Sequence, residues 1–182
     1  LVAKALQGVE RNSIERTIRA LVACKTRHSA SESESGPTGI GAARRWLISE
    51  LTSIAAKSGG RLAIREEWVD LESKTRLPGG KARGANVIAR LPGTLDPNRV
   101  IVVSGHYDSI NSKYDISRGG EIDISGDAPG ADDDASGTAV AVECARALSG
   151  MQFPMTIEFC AFTAEEQGLL GSRAHAKALK AA

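Results

Sequence analysis

Three short segments of the sequence carry side chains that could bind a metal ion or move a proton. They are GHYDS at residues 105–109, PGADDDASGTA at residues 129–139 and TAEEQG at residues 163–168. Imidazole and carboxylate groups are the usual side-chain ligands of zinc and the usual general bases of hydrolytic enzymes. Like charges on consecutive residues repel one another, so a run of three aspartates in a packed site requires a nearby positive charge to offset the repulsion.

The segments must be positioned by elements that the hydropathy pattern makes visible. We predict helices over 12–24, 40–60, 136–150 and 169–182, and strands over 62–70, 85–91, 99–109 and 155–162. The alternation of strand and helix in the second half predicts an α/β fold with parallel central strands, and the first half adds antiparallel strands at the edge. The β-branched run at 100–103 suits a strand covered on both faces. Residues 29–39 are polar and of low complexity, and we interpret them as a solvated connection.

This arrangement predicts that the three segments meet at one edge of the sheet. Ligands of open α/β sheets bind beyond the C-terminal ends of the strands. His106 and Asp108 follow one such strand, Glu165 and Glu166 follow the next, and the aspartates begin the helix that joins the two. Successive side chains of an extended segment point in opposite directions. Either the middle aspartate, Asp133, or the outer pair can therefore reach the shared point.

A divalent metal ion supplies the positive charge most simply. Mixed imidazole and carboxylate ligands suit zinc or a neighbouring first-row ion better than calcium or magnesium. The spacing of His106 and Asp108 fits a ligand and a carboxylate that orients its ring. Aspartates at a helix N-terminus alone would indicate capping, and a glutamate pair alone would indicate a solvated surface. Their joint placement favours a metal centre.

Composition and length restrict the other possibilities. Lys and Arg (23) nearly balance Asp and Glu (22), so the charge does not indicate nucleic acid or an anionic membrane as a partner. No apolar run approaches the roughly 20 residues that span a bilayer, and the N-terminus shows no signal-peptide pattern. The three irregularly spaced cysteines, Cys24, Cys144 and Cys160, are expected to be buried free thiols. We expect residues 1–182 to form one domain; the sequence leaves the oligomeric state open.

The segments GHYDS, PGADDDASGTA and AFTAEEQGLLGS, in this order and spacing, strongly resemble the motifs of co-catalytic zinc exopeptidases typified by secreted bacterial leucyl aminopeptidases. The similarity in element order covers roughly residues 10–180. It implies the phosphorylase/hydrolase-like fold of that family, with a mixed, mostly parallel central sheet sandwiched by helices. It also implies two zinc ions, a peptide substrate and a secreted or periplasmic location.

The resemblance also implies roles for individual residues. His106 would ligate one zinc ion, Glu166 the other, and Asp133 would bridge both. Glu165 would be the general base, and Asp108 would orient His106. The implied reaction is metal-assisted hydrolysis of an N-terminal peptide bond, in which the base takes a proton from water and returns it to the leaving amine.

The other two aspartates have supporting roles by the same resemblance. Asp132 and Asp134 would shape the turn and its hydrogen bonds around the bridging carboxylate. The peptide bond between Asp133 and Asp134 is expected to be cis, as it is in the family.

One departure from the family concerns the remaining ligands. The family completes its site with an aspartate and a histidine downstream of the AEE motif, but no aspartate follows Asp134 here. The one histidine after Glu166 is His175, which lies in the middle of a predicted helix and is expected to be an ordinary surface residue. We therefore expect an N-terminal part of such an enzyme with the C-terminal ligands absent. With two ligands per metal, residues 1–182 alone should bind zinc poorly and be inactive.

Two further hypotheses remain open beside the aminopeptidase. The same scaffold serves related zinc dipeptidases, carboxypeptidases and glutaminyl cyclases, and the intact ADDD and AEE strings favour the two-metal peptidases over the cyclases. The chain could instead be a non-catalytic, peptidase-like binding domain. Loss of metal ligands would indicate that class, whereas His106, Asp133, Glu165 and Glu166 are all present.

Overall fold

The computed structural model describes residues 2–31, 34–111 and 122–181. Its helices are α1 (Val2–Gln7), α2 (Arg11–Ala23), α3 (Gly39–Ala56), α4 (Gly137–Leu148) and α5 (Leu170–Ala181). Its strands are β1 (Ala63–Glu72), β2 (Lys81–Leu91), β3 (Asp96–His106) and β4 (Met155–Phe162). Each predicted helix and strand is present, and α1 is an addition. In the described ranges, none of these helices combines the length and the apolar character that a bilayer crossing requires.

The four described strands form one mixed sheet in the order β1-β2-β4-β3. β1 pairs with β2 and β2 with β4 in antiparallel fashion, while β3 and β4 run parallel. The parallel register places His106, the last residue of β3, opposite Phe162, the last residue of β4. The chain segments that leave these two strands therefore start side by side, as the sequence predicts.

The core lies between one face of the sheet and helices α2, α3 and α4. On β4, Ile157, Phe159 and Ala161 belong to this core together with Leu47 and Leu51 of α3. Burial of each leucine side chain stabilises the fold by roughly 1.5–3 kcal/mol. Because strand side chains alternate between faces, the residues between them on β4 point to the opposite face, which α5 covers over β1 and β2.

The prediction that residues 100–103 lie in a strand covered on both faces is wrong. β3 is an edge strand of the described sheet, and Ile101 and Val102 are 44% and 40% exposed. A β-branched run indicates a strand but does not distinguish an edge from a centre, because both positions favour the same side chains. β4 and residues 84–89 of β2 are buried on both faces.

Candidate metal centre

The three predicted segments meet at the C-terminal edge of the β3–β4 pair. We call them the histidine loop (residues 106–109), the aspartate loop (residues 129–136) and the glutamate loop (residues 163–168). The ring of His106 lies at their junction, with Nε2 2.9 Å from Asp133 Oδ1 and 3.7 Å from Glu165 Oε2. The structure thus brings an imidazole and two carboxylates from three separate segments within reach of one small ion.

Glu166 faces the same group of charges. Its half-buried position raises the pKa of its carboxyl group, and the negative charges of Asp108 and Asp133 add to that effect, so that the pKa reaches about 7 despite the opposing influence of His106. Without a cation, Glu166 is repelled by these neighbouring carboxylates when it is ionised, and a bound proton removes that repulsion. A cation between Glu166 and Asp133 would remove that cost.

Asp108 ties the histidine loop to the glutamate loop. Its buried carboxylate accepts hydrogen bonds from the main-chain N–H groups of Glu165 (3.1 Å) and Glu166 (3.2 Å). His106 Nδ1 lies 3.5 Å from Asp108 Oδ1 and 3.2 Å from the main-chain oxygen of Asp108. Burial alone would lower the pKa of His106, but the hydrogen bond and charge of Asp108 and the charges of Asp134 and Glu165 raise it to about 9.

The three aspartates differ in direction. Asp134 points back into the protein, where its carboxylate accepts hydrogen bonds from the N–H groups of His106 (3.0 Å) and Gly137 (2.7 Å). Asp133 points outward with a side chain that is 77% exposed, and it is the one that meets the His106 ring. Asp132 contributes its carbonyl, which accepts a hydrogen bond from Ser136 Oγ (2.8 Å). The Asp133–Asp134 peptide bond is cis, as predicted.

The donor set fits a divalent metal ion of the zinc type. It offers one imidazole nitrogen and several carboxylate oxygens that crowd one another, which is the chemistry that zinc sites use. His106, Asp133 and Glu166 could hold such an ion, and Glu165 lies beside His106. The carboxylates of Asp108 and Asp134 fix the main chain of these residues. Asp108 accepts hydrogen bonds from the N–H groups of Glu165 and Glu166, and Asp134 accepts one from that of His106.

The prediction that His175 is a surface residue is wrong. His175 is 2% exposed, with Nδ1 3.1 Å from Glu67 Oε2 and Nε2 3.0 Å from Glu158 Oε2. It faces the sheet because it lies four residues after Gly171, the other buried residue of α5, and so shares its face of the helix. That spacing is the signal that sequence analysis could have used. His175 belongs to the sheet face opposite the core and is paired there with β1 and β4.

Away from this site, the possible ligand atoms of His175, Glu158 and Cys160 lie within 4.8 Å of one another. Charge argues against a metal ion there, because Glu158 Oε1 is 2.9 Å from a guanidinium nitrogen of both Arg65 and Arg90. Burial alone would raise the pKa of Glu158, but its contacts with His175, Arg90 and Arg65 lower it to about 2. A divalent cation would lie next to two fixed positive charges. We interpret this cluster as a structural ion network.

The interpretation of residues 29–39 as a solvated connection is wrong at its start, and the buried segment begins three residues earlier, at Thr26. Arg27 and His28 are fully buried, and Ser29 and Ser31 are 2% and 9% exposed. Residues 32–33 lie outside the described part of the chain. The hydropathy of such a polar stretch carries no sign of burial, because its partners belong to the site loops, 80 and 82 residues away in sequence.

Comparison with known proteins adds an independent line of evidence. A probable zinc metalloprotease of Pyrenophora teres f. teres (strain 0-1) is 42% identical over 181 residues, which cover 96% of this chain and 36% of that protein. A probable leucine aminopeptidase of Trichophyton verrucosum (strain HKI 0517) is 32% identical over 187 residues, which cover 100% of this chain and 42% of that protein. The chain therefore spans about two fifths of the length of these curated relatives.

Solved structures share the fold at low sequence identity. The LapA aminopeptidase of Legionella pneumophila matches with a TM-score of 0.68 at 20% identity, over 97% of this chain and 39% of its own. The glutaminyl cyclase of Porphyromonas gingivalis matches with a TM-score of 0.66 at 20% identity, over 91% of this chain and 54% of its own. These neighbours confirm the predicted mixed α/β fold of zinc exopeptidases.

The sequence profile of peptidase family M28 matches residues 86–182, more than half of the chain. That range contains the histidine, aspartate and glutamate loops, whose side chains meet around His106. With the fold, the curated relatives and the family profile in agreement, the chain belongs to peptidase family M28.

Proposed function

We propose that the full-length protein is a zinc-dependent aminopeptidase that removes N-terminal residues from peptides with the help of two zinc ions. One observation carries the proposal: His106 Nε2 lies 2.9 Å from Asp133 Oδ1 and 3.7 Å from Glu165 Oε2 at the C-terminal edge of the sheet. The similarity to a probable zinc metalloprotease and to a probable leucine aminopeptidase supports the metal and the type of reaction.

His106, Asp133 and Glu166 would hold the metal, with Asp133 between the two ions. Zinc, when bound, supplies a Lewis acid that polarises the scissile carbonyl and lowers the pKa of water. Two protein ligands per metal are fewer than the three of a typical catalytic zinc site. We therefore propose that residues 1–182 alone bind zinc weakly and are inactive.

Glu165 is the residue proposed to move the proton. Its carboxylate is 38% exposed, so water and substrate can reach it, and it lies beside the ligand His106. It would take a proton from the attacking water and return it to the leaving amine. The Asp108 carboxylate fixes the Glu165 main chain at 3.1 Å, so the base is held at a set distance from the histidine loop.

The alternatives give different products from one substrate. A peptide with N-terminal glutamine and free ends would lose its first residue to an aminopeptidase and its last residue to a carboxypeptidase. A glutaminyl cyclase would leave the chain length unchanged and release ammonia, giving pyroglutamate at the N-terminus. A non-catalytic binding domain would leave the peptide intact.

The test is to incubate the purified full-length protein with zinc and this peptide and to follow the products by mass spectrometry. Loss of the N-terminal residue, abolished by chelation and restored by zinc, is the expected result. The Glu165→Gln variant is the control for a contaminating peptidase, because it should bind zinc and release product about 10²–10⁴-fold more slowly. Cyclisation, C-terminal release or an intact peptide would refute the aminopeptidase assignment.

A further inference from the structure

We propose that Arg27 is a positioning residue that fixes the aspartate loop against the histidine loop and so sets the distance between Asp133 and His106. This inference concerns a residue outside the family-matched range 86–182, and it rests on the proposed function for its consequence in catalysis. The contacts of Arg27 with the two loops do not depend on that function and can be tested separately.

The guanidinium of Arg27 is fully buried and donates only to main-chain carbonyl groups among its described hydrogen bonds. Nε donates to the oxygen of Tyr107 (2.6 Å), and Nη2 donates to that of Gly130 (2.9 Å). Nη1 donates to the oxygens of Pro129 (2.6 Å) and Leu21 (3.2 Å). One rigid, planar group therefore connects the end of α2, the histidine loop and the start of the aspartate loop.

The carbonyl groups that Arg27 holds are next to the ligands in sequence. Tyr107 lies between His106 and Asp108, and Gly130 precedes the three aspartates. Gly130 has a φ of +44°, and a Cβ atom there would lie 2.5 Å from the oxygen of Asp133 and 2.8 Å from Nη2 of Arg27. The loop therefore packs directly on the guanidinium, and no side chain fits between them.

The main chain around Arg27 supports the same loops. Its N–H donates to Ser109 Oγ (3.1 Å), and its carbonyl accepts a hydrogen bond from the Ser109 N–H (3.2 Å). Two residues further on, Ser29 Oγ donates to Gln167 Oε1 (2.7 Å), next to Glu166 in the glutamate loop. Residues 27–29 therefore contact all three loops of the site from the protein interior.

A charge buried in this way is costly, and its described hydrogen bonds are to neutral carbonyls. Burial lowers the pKa of Arg27, while the nearby charges of Asp108 and Asp134 act in the opposite direction. Its contribution to the site is thus twofold. Three of its hydrogen bonds hold the histidine and aspartate loops, with a fourth to α2, and its positive charge lies near the carboxylates of Asp108 and Asp134. Lysine can supply the charge but not the planar arrangement of donors.

The experiment compares Arg27→Lys and Arg27→Ala with Arg146→Lys in the full-length protein. Arg146 is a suitable control because, like Arg27, it is a hydrogen-bonded arginine, with partners Glu143 (2.9 Å) and Glu10 (3.0 Å). It is only half-buried and lies in the last turn of α4, away from the three loops. For each protein, unfolding in urea, zinc affinity by competition with a chromogenic chelator, and kcat and KM on leucine-p-nitroanilide are measured. Amide hydrogen exchange of the loops is followed in the metal-free state.

For Arg27→Lys we expect faster exchange in the aspartate and histidine loops, zinc affinity about 10–100-fold lower, and a fall in kcat with little change in KM. Arg146→Lys should change none of these beyond its effect on stability. Guanidinium at a concentration that does not unfold the protein should restore part of the zinc affinity of Arg27→Ala. If Arg27→Ala does not fold, Arg27→Lys, which keeps the charge, carries the test.

Loop exchange and zinc affinity equal to those of Arg146→Lys would overturn the positioning role and leave Arg27 as a structural residue. A wild-type protein that neither binds zinc nor cleaves the substrate would instead refute the proposed function. In that case the exchange comparison still decides whether Arg27 positions the loops.

Discussion

Replacing Glu158 with glutamine tests the ion network on the sheet face that α5 covers. Glu158 is fully buried on β4, and its two oxygens meet Arg65 and Arg90 on one side and His175 on the other. Glutamine keeps the size of the side chain and removes its charge. The side chains of Arg65 and Arg90 are 41% and 34% exposed and can turn toward water. The loss of stability should therefore come mainly from the buried ion pair between Glu158 and His175.

The magnitude follows from the pKa of Glu158. Folding lowers it from 4.5 to about 2, which corresponds to roughly 3 kcal/mol of stability at neutral pH. Because the folded-state pKa is the lower one, this contribution is complete above pH 4.5 and is lost as the pH falls toward about 2. The pKa of His175 is raised from 6.5, so its own contribution is present below pH 6.5 and is lost as the pH rises through the raised value.

The assay is urea unfolding of the full-length protein with a chelator present, measured from about pH 6 to about pH 2, a range in which His175 stays charged. Glu158→Gln should be less stable than wild type by roughly 3 kcal/mol at the upper end, and the difference should vanish at the lower end. Glu15→Gln is the control, because Glu15 forms an exposed ion pair with Arg19 that should contribute less than about 0.5 kcal/mol. A difference for Glu158→Gln that does not depend on pH, or one as small as that control, would refute the reasoning.

Two other substitutions test the site and the packing that supports it. Glu165→Gln should keep the zinc content of the full-length protein and lower turnover of leucine-p-nitroanilide by about 10²–10⁴-fold; near-normal turnover would reject its role as the base. Gly105→Ala should destabilise the protein by more than about 2 kcal/mol in thermal unfolding, because a Cβ there would lie 2.3 Å from main-chain atoms of Gly137 and Thr138. Gly150→Ala, where a Cβ meets nothing within 4 Å, should change stability by less than about 1 kcal/mol, and equal effects of the two changes would contradict the packing argument.

The positions of the candidate ligands were accessible from the sequence because they follow from local patterns and one general rule. Apolar runs locate β3 and β4, and residues that follow parallel strands meet at one edge of the sheet. His106 Nε2 and Glu165 Oε2 accordingly lie 3.7 Å apart. The two loops that carry them are far apart in sequence, since 58 residues separate Asp108 from Glu166. The alternation of side chains likewise anticipated that Asp133 and Asp134 point in different directions.

The burial of polar residues could not be obtained in this way. His175 is buried by Glu67, which lies 108 residues away, and Ser29 by Gln167, which lies 138 residues away. The edge position of β3 likewise depends on which strands pair with it and not on its own composition.

The sequence by itself thus determined the order of helices and strands, the strand ends that carry His106 and Glu165, and the family resemblance of the three motifs. Only the tertiary structure decided that Arg27 lies beneath the aspartate loop and that His175 faces inward. The physical reason is that a polar side chain can be buried where other groups satisfy its hydrogen bonds and charge. Those groups come from distant segments, and folding alone brings them together.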